Sequence, residues 1–192
     1  MSRPHLLIVD NGSRSVQVID REATSAGWTV SVLPHTRLGT PIPTPDAVIL
    51  TGTDLPVFAP GYDEEIALIR SATMPVLGIC GGMQLIGRAH GVGLAMGEPV
   101  IGRHDVRLRE RVELFEGLPR QVTLFQRHVY RLTAAPAEFD VIAASPGCPI
   151  EGMRHRTRPL YGMQAHVEFR PHGKQILRRF LSLATRGEGD RR

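Results

Sequence analysis

The segment of this sequence best suited to chemistry is Val76-Leu77-Gly78-Ile79-Cys80-Gly81-Gly82-Met83-Gln84. A short apolar run reads as a buried strand, and the chain then turns through Gly-x-Cys-x-Gly into a helix. This is the cysteine form of a nucleophile elbow, in which the reactive residue occupies a strained, tight turn. Gly78 and Gly82 flank it because side chains there would collide within the turn. The start of a helix also favours negative charge, which suits a thiolate. A small buried cysteine in a glycine-rich turn has the same spelling, so a base has to be found elsewhere. Tyr161-Gly162-Met163-Gln164-Ala165-His166-Val167-Glu168 offers one. On an extended segment, residues i and i+2 share a face, which sets His166 beside Glu168. The carboxylate would fix the imidazole tautomer and stabilise its protonated form. A lone His-x-Glu arises often by chance. Its order after a mid-chain elbow is what predicts a Cys80–His166–Glu168 triad.

Parallel strands ending on one side would position such a site. Leu6 to Val9 is a continuous apolar run that stops at Asp10-Asn11-Gly12, the pattern of a buried strand and a turn. Val16, Ile19, Ala23 and Ala26 then recur at helical spacing, with Gly27 where a C-cap belongs. Strands follow at Trp28–Leu33, 47–50 and 76–79, and helices at 62–70 and 81–90; the proline-rich stretch from Pro34 to Pro45 reads as a loop. This alternation predicts an α/β fold with a mostly parallel, twisted sheet flanked by helices, flavodoxin-like in layout. Ligands in such sheets bind beyond the carboxyl ends of the strands, where Asp10, Thr51 and Cys80 lie. After Gly91 short alternating segments take over, around Val106, 122–125, 141–144 and 160–164, predicting an antiparallel extension in the C-terminal half. A final amphipathic helix spans His172 to Thr185. With 192 residues, no internal repeat and no low-complexity linker, residues 1–192 read as a single domain.

Composition narrows the function classes. Hydrophobic residues are 42% and charged residues 22%, ordinary for a soluble globular chain. No apolar run is long enough to span a bilayer, and the N-terminus lacks a secretory cleavage pattern. Two cysteines cannot build a disulfide framework, so a reducing cytoplasm is the expected location. The net charge is +4, and all but one of the 23 basic residues are arginine. They gather at Arg103, Arg107, Arg109 and Arg111, and at Arg154, Arg156, Arg158, Arg178 and Arg179. Neither group has the interleaved aromatic residues of a nucleic-acid platform, so both read as solvated faces, and neither nucleic acid nor membrane is an expected partner. The remaining histidines show no metal-ligand spacing, and Gly91-Val92-Gly93 lacks the third glycine of a dinucleotide fingerprint. Neither metal nor cofactor is expected. Cys148, followed by proline in a turn, reads as structural.

Gly-Ile-Cys-Gly-Gly-Met-Gln at 78–84 and Gly-Met-Gln-Ala-His-Val-Glu at 162–168 resemble the nucleophile and histidine–glutamate motifs of class I glutamine amidotransferases. Ile8-Val9-Asp10-Asn11-Gly12-Ser13 and Cys148-Pro149-Ile150-Glu151-Gly152-Met153 are similar to segments of that family's GMP synthase branch, in its stand-alone subunit form. The resemblance implies that Cys80 attacks L-glutamine, that His166 is its base and acid, and that Glu168 orients His166. It further implies oxyanion donors at Gly81 and the Gly52-Thr53 loop, a substrate contact from Gln84, and a pocket wall at Gln126-Arg127-His128. Nothing here resembles an ATP pyrophosphatase or a P-loop. Ammonia would therefore pass to a separate synthetase subunit of the ATP pyrophosphatase type, with xanthosine monophosphate or a specialised metabolite as acceptor. A free-standing hydrolase of γ-glutamyl compounds and a catalytically weak regulatory module are the alternatives. Three departures stand out. The family's Gly-Gly-Pro is Gly52-Thr53-Asp54, and threonine resists the positive φ that glycine tolerates. That predicts a reshaped oxyanion loop, or one that forms only with a partner. His-Pro-Glu is His166-Val167-Glu168, which spares the triad. Ser-His-x-Asp is Arg127-His128-Val129-Tyr130, which loses a serine and an acid.

Overall fold

Leu6, Leu7, Ile8 and Val9 are all essentially inaccessible to solvent, which requires both faces of strand β1 (His5–Asp10) to be covered. Leu6 and Ile8 join Ile19, Ala23, Ile176 and Phe180 in one core, and Leu7 and Val9 join Ile66, Ile69, Leu85 and Ile86 in a second. The two cores lie on opposite faces of the same sheet. Helices α1 (Val16–Ser25) and α4 (Gly173–Arg186) cover the first; α2 (Asp63–Ser71) and α3 (Gly81–Ala89) cover the second. The remaining strands are β2 (Thr29–Pro34), β3 (Ala47–Leu50), β4 (Val76–Ile79), β5 (Leu94–Leu108), β6 (Gln121–Leu132), β7 (Phe139–Ala144), β8 (Gly152–His155) and β9 (Leu160–Met163). This computed structural model describes residues 3–39, 41, 43–109 and 112–186. Arg111 of the basic stretch, residues 40 and 42 of the proline-rich loop, and the two chain ends lie outside them.

The nine strands form one mixed sheet in the order β2-β1-β3-β4-β9-β8-β7-β5-β6. Pairing is parallel from β2 to β9 and antiparallel from β9 to β6. The flavodoxin-like parallel half and its antiparallel extension are thus both present, although the antiparallel half is larger than the sequence pattern predicts. β8 has no counterpart in that pattern, and β5 runs far beyond Val106. The proline-rich stretch is also not all loop: Pro34 ends β2 and His35–Arg37 form a short 3-10 turn. Gly27, at φ +90°, stands just past α1 as the C-cap reading requires.

Arg103, Arg107 and Arg109 are exposed, as a solvated face would be, whereas the C-terminal arginines also make bonds within the fold. Arg154 pairs with Glu113, Arg156 with Asp140 and Arg178 with Glu22, while Arg158 donates to the carbonyls of Ile69 and Ala72. Among the described residues, no helix is long and apolar enough to cross a membrane.

One buried charge couples the fold to pH. Glu65 on α2 is fully inaccessible, and Asn11 Nδ2 donates to its Oε1 at 3.1 Å. Burial outweighs that bond and pushes its pKa up to about 7. Below about pH 4.5 the group is protonated whether the chain is folded or not, so it has no effect. Between pH 4.5 and 7 the unfolded chain loses its proton first, and stability falls by roughly 3 kcal/mol at most. Glu65→Gln is therefore expected to melt above the wild type at pH 8 and level with it near pH 4.5, as read by calorimetry at the two pH values.

Candidate active site

Parallel pairing of β4 with β9 sets Ile79 level with Met163, so the chain leaves both strands at the same edge of the sheet. Cys80 N donates to Met163 O at 2.8 Å, which fixes the first residue beyond β4. Cys80 adopts φ 52° and ψ −105°; among the described residues it alone combines a positive φ with a side chain. Such a conformation costs about 1–3 kcal/mol and persists only where the surroundings impose it. Here strand pairing on one side and α3 on the other impose it. The flanking glycines make it sterically feasible. A Cβ on Gly78 would lie 2.6 Å from the Gly82 carbonyl, and one on Gly82 would lie 2.3 Å from Leu50 O.

His166 reaches the same edge by a different route from the one its spacing suggests. After β9 the chain does not stay extended. His166 N donates to Phe125 O of β6 at 2.8 Å, and Phe169 N reaches back to His166 O at 3.4 Å. A turn pinned by β6, rather than the shared face of a strand, brings His166 Nδ1 to 2.8 Å from Glu168 Oε1. A Cβ on Gly52 would lie 3.2 Å from His166 Cε1 and 3.5 Å from Cys80 Cβ, so the imidazole stands next to Cys80, and Glu168 is only 1% exposed. Burial by itself would push the imidazole pKa down. The neighbouring Cys80, the bond to Glu168 and the charges of both outweigh burial and push it up to about 10. His166 thus holds its proton at neutral pH, beside the sulfur.

The other expected residues gather around a pocket of about 230 Å³, lined by Thr53, Cys80, Gln84, Arg127 and His128 together with Asp54 and Tyr130. Gly52 and Gly81 are not part of its lining but adjoin residues that are. A Cβ on Gly52 would sit 3.2 Å from His166 Cε1, and one on Gly81 would sit 2.9 Å from Thr53 N. The two segments expected to donate to an oxyanion are therefore in contact. Thr53 itself has no positive φ, so the backbone argument drawn from its sequence does not apply to this loop. Its hydroxyl instead accepts from Leu55 N at 2.9 Å and lies 3.3 Å from the Tyr62 hydroxyl. Threonine thus braces the loop from within. The Gln84 amide nitrogen donates to Tyr130 O at 2.7 Å and to Gln164 Oε1 at 3.2 Å, so only its oxygen remains for a ligand. Arg127 presents its carbonyl to Cys80 Sγ at 3.7 Å, as a backbone wall would, but its side chain also pairs with Asp54 at 3.6 Å. Burial pushes the His128 pKa down to about 4, so the ring is neutral, and neither nitrogen has a partner among the described residues.

Three residues of the site escape sequence reasoning. Gln164 is fully buried and donates to Cys80 Sγ at 3.6 Å; its place inside the histidine motif is an available signal. Asp54 spans the pocket mouth between Arg14 and Arg127. Ser15 donates to Glu168 from across the sheet edge, 153 residues away in sequence, and nothing local announces it. Among the described residues no group of three His, Cys, Asp or Glu could hold a metal ion.

The two cysteines differ sharply. Cys148 is 1% exposed and its Sγ donates to Ile150 O at 3.3 Å. Burial and the nearby Glu151 push its pKa up to about 12. Iodoacetamide at pH 7 is expected to alkylate Cys80 well before Cys148, and peptide mass mapping at partial labelling reads the order.

Residues 7–183 match the family model for class I glutamine amidotransferases. The chain is 36% identical over 185 residues to the glutamine-hydrolyzing GMP synthase of Mycolicibacterium paratuberculosis, covering 94% of this chain but only 35% of that protein. It is 32% identical to one subunit of the glutamine-hydrolyzing GMP synthase of Pyrococcus abyssi, with 93% of this chain and 97% of that subunit covered. In structure, the chain is similar to a Thermoplasma acidophilum protein assigned as a GMP synthase subunit, with a TM-score of 0.90, 25% identity and coverage of 99% and 98%.

Proposed function

The chain belongs to the class I glutamine amidotransferase family, and from that premise we propose that it hydrolyses the side-chain amide of L-glutamine through a Cys80 thioester and passes the ammonia to a separate synthetase subunit. The observation that carries this reading is Cys80 on its strained turn, next to a protonated His166 and facing a pocket of about 230 Å³. The Cys80 thiolate attacks the carboxamide carbon, and the oxyanion is held by the amides of Gly81 and the Gly52-Thr53 loop. His166 gives its proton to the departing nitrogen, and ammonia leaves as the C–N bond breaks. His166, now neutral, takes a proton from water as the water attacks the thioester, which releases glutamate and regenerates the thiolate–imidazolium pair. Glu168, bonded to Nδ1, fixes the tautomer and leaves Nε2 for the proton transfers.

A partner is supported by the surface around the pocket. Leu55, Phe58, Met96 and Ile101 are more than half exposed. Leu55 and Ile101 line the mouth, Phe58 packs edge-on against Tyr130, and Met96 is paired with Tyr130 across β5 and β6. An apolar rim around a site that releases ammonia is suited to being covered. The GMP synthase relatives that match this chain over their full length support a synthetase of the ATP pyrophosphatase type acting on xanthosine monophosphate, in GMP synthesis. The two free thiols suit a reducing cytoplasm. The isolated chain is expected to turn glutamine over slowly, and a candidate synthetase of the ATP pyrophosphatase type to raise that rate at least tenfold. Fast turnover by the chain alone, unchanged by the synthetase, would instead favour a free-standing hydrolase.

A further inference from the structure

Ser15 stands at the start of α1, where a serine ordinarily caps the helix by accepting a first-turn amide. Here it makes no such bond. Its backbone carbonyl accepts from Val18 N and Ile19 N, while its hydroxyl points away from the helix and donates to Glu168 Oε1, the same oxygen that accepts from His166 Nδ1. An ionised carboxylate can only accept, so the Ser15 proton must lie toward Glu168. The Ser15 oxygen is then free to receive the Ser13 hydroxyl, 2.9 Å away. The loop is held in turn by Asp10 Oδ1, which accepts from Gly12 N at 2.8 Å and Ser13 N at 3.1 Å. A directed chain results, from Ser13 to Ser15 to Glu168, meeting His166 from the other side. Glu168 Oε2 has no partner among the described residues, so losing Ser15 leaves this buried carboxylate with His166 alone.

We propose that Ser15 is a positioning residue of the catalytic centre, holding the Glu168 carboxylate aimed at His166, with Ser13 supporting it. The inference rests on the glutaminase reading of the same site. The titratable groups facing the pair are Cys80 from the turn between β4 and α3 and His128 from β6, the latter neutral. The start of α1 adds the positive end of a helix dipole beside Ser15. With one donor fewer, the buried carboxylate is held less firmly against His166 Nδ1 and does less to stabilise the imidazolium beside Cys80.

The test is the pH profile of Cys80 alkylation by iodoacetamide in the full chain, which needs neither glutamine nor a partner. Ser15→Ala is expected to move the rise of that profile upward by about one pH unit, roughly a tenfold loss of rate on the limb. Its melting temperature should fall by a few degrees at most, the cost of one buried hydrogen bond, since the hydroxyl caps nothing. Ser15→Thr, which keeps the hydroxyl, should restore the profile, and Ser13→Ala should shift it in the same direction by less. An unmoved profile in folded Ser15→Ala, or a Ser15→Thr profile as displaced as that of alanine, overturns the assignment. Should Ser15→Ala fail to fold, Ser13→Ala decides by the same criterion. Wild-type Cys80 reacting no faster than an ordinary thiol would sink the glutaminase reading itself, a result distinct from an unshifted Ser15→Ala.

Discussion

Cys80→Ala is expected to abolish glutamine hydrolysis while leaving the protein folded. With the sulfur gone no thioester forms, and the remaining oxyanion donors and His166 have no covalent intermediate to act on. Loss of a nucleophile of this kind costs about a million-fold in the turnover rate where it has been isolated, so turnover should fall below detection. Stability should respond in the opposite sense. Cys80 is 5% exposed and contributes little volume to the core, and its positive φ is a cost the fold bears at the site. Alanine keeps that strain and glycine removes it. Cys80→Gly should therefore melt above Cys80→Ala, with both inactive. Thermal melts and an ammonia-release assay on the two variants check this; wild-type turnover in Cys80→Ala would refute the nucleophile.

Gly82→Ala is expected to have the largest effect on the fold of any single methyl addition near the site. The new Cβ would lie 2.3 Å from Leu50 O and 2.8 Å from Leu50 C, atoms of β3 that cannot rotate away. Overpacking of a core typically costs about 1–3 kcal/mol, and a clash against paired backbone belongs at or above the upper end. The helix can yield only by lifting from β3, which would carry the Gly81 amide and Cys80 with it. The expected result is a melting temperature lower by about ten degrees or more, or no soluble protein, with Cys80 alkylation slowed to that of a free thiol. Gly147→Ala is the control: no atom lies within 4 Å of its Cβ and its φ is not positive, so it should change neither quantity.

The readable parts of this chain are those whose physics is local. Leu6 to Val9 and Ala47 to Leu50 are buried on both faces, so their residues are apolar without interruption and their spelling is unambiguous. β5 hides for the opposite reason. Most of it is exposed, Gly97, Pro99 and Gly102 interrupt it, and its pairing with β6 slips between Met96 and Val100. β8 is four residues long, includes Arg154 and His155, and is strand-like only because β7 and β9 flank it. The site divides in the same way. The elbow is a local steric pattern, and the glycines on either side of Cys80 announce it. His166 and Glu168 can be paired from their spacing, but through a strand geometry that the structure replaces with a turn. Ser15 cannot be found at all, because a serine before a helix is indistinguishable from an ordinary cap until the fold brings Glu168 beside it.

The adjacency of β4 and β9 governs when this chain becomes reactive during synthesis. Cys80 emerges from the ribosome with its turn and helix already encoded, but the strand that completes its edge of the sheet lies far downstream, at Leu160–Met163. Until those residues are made and inserted, β4 lacks its outer neighbour and the thiol has no imidazole beside it. An unfinished chain therefore carries the nucleophile in an inert form and consumes no glutamine. Assembly of the centre has to wait for this long-range pairing, which is comparatively slow to form.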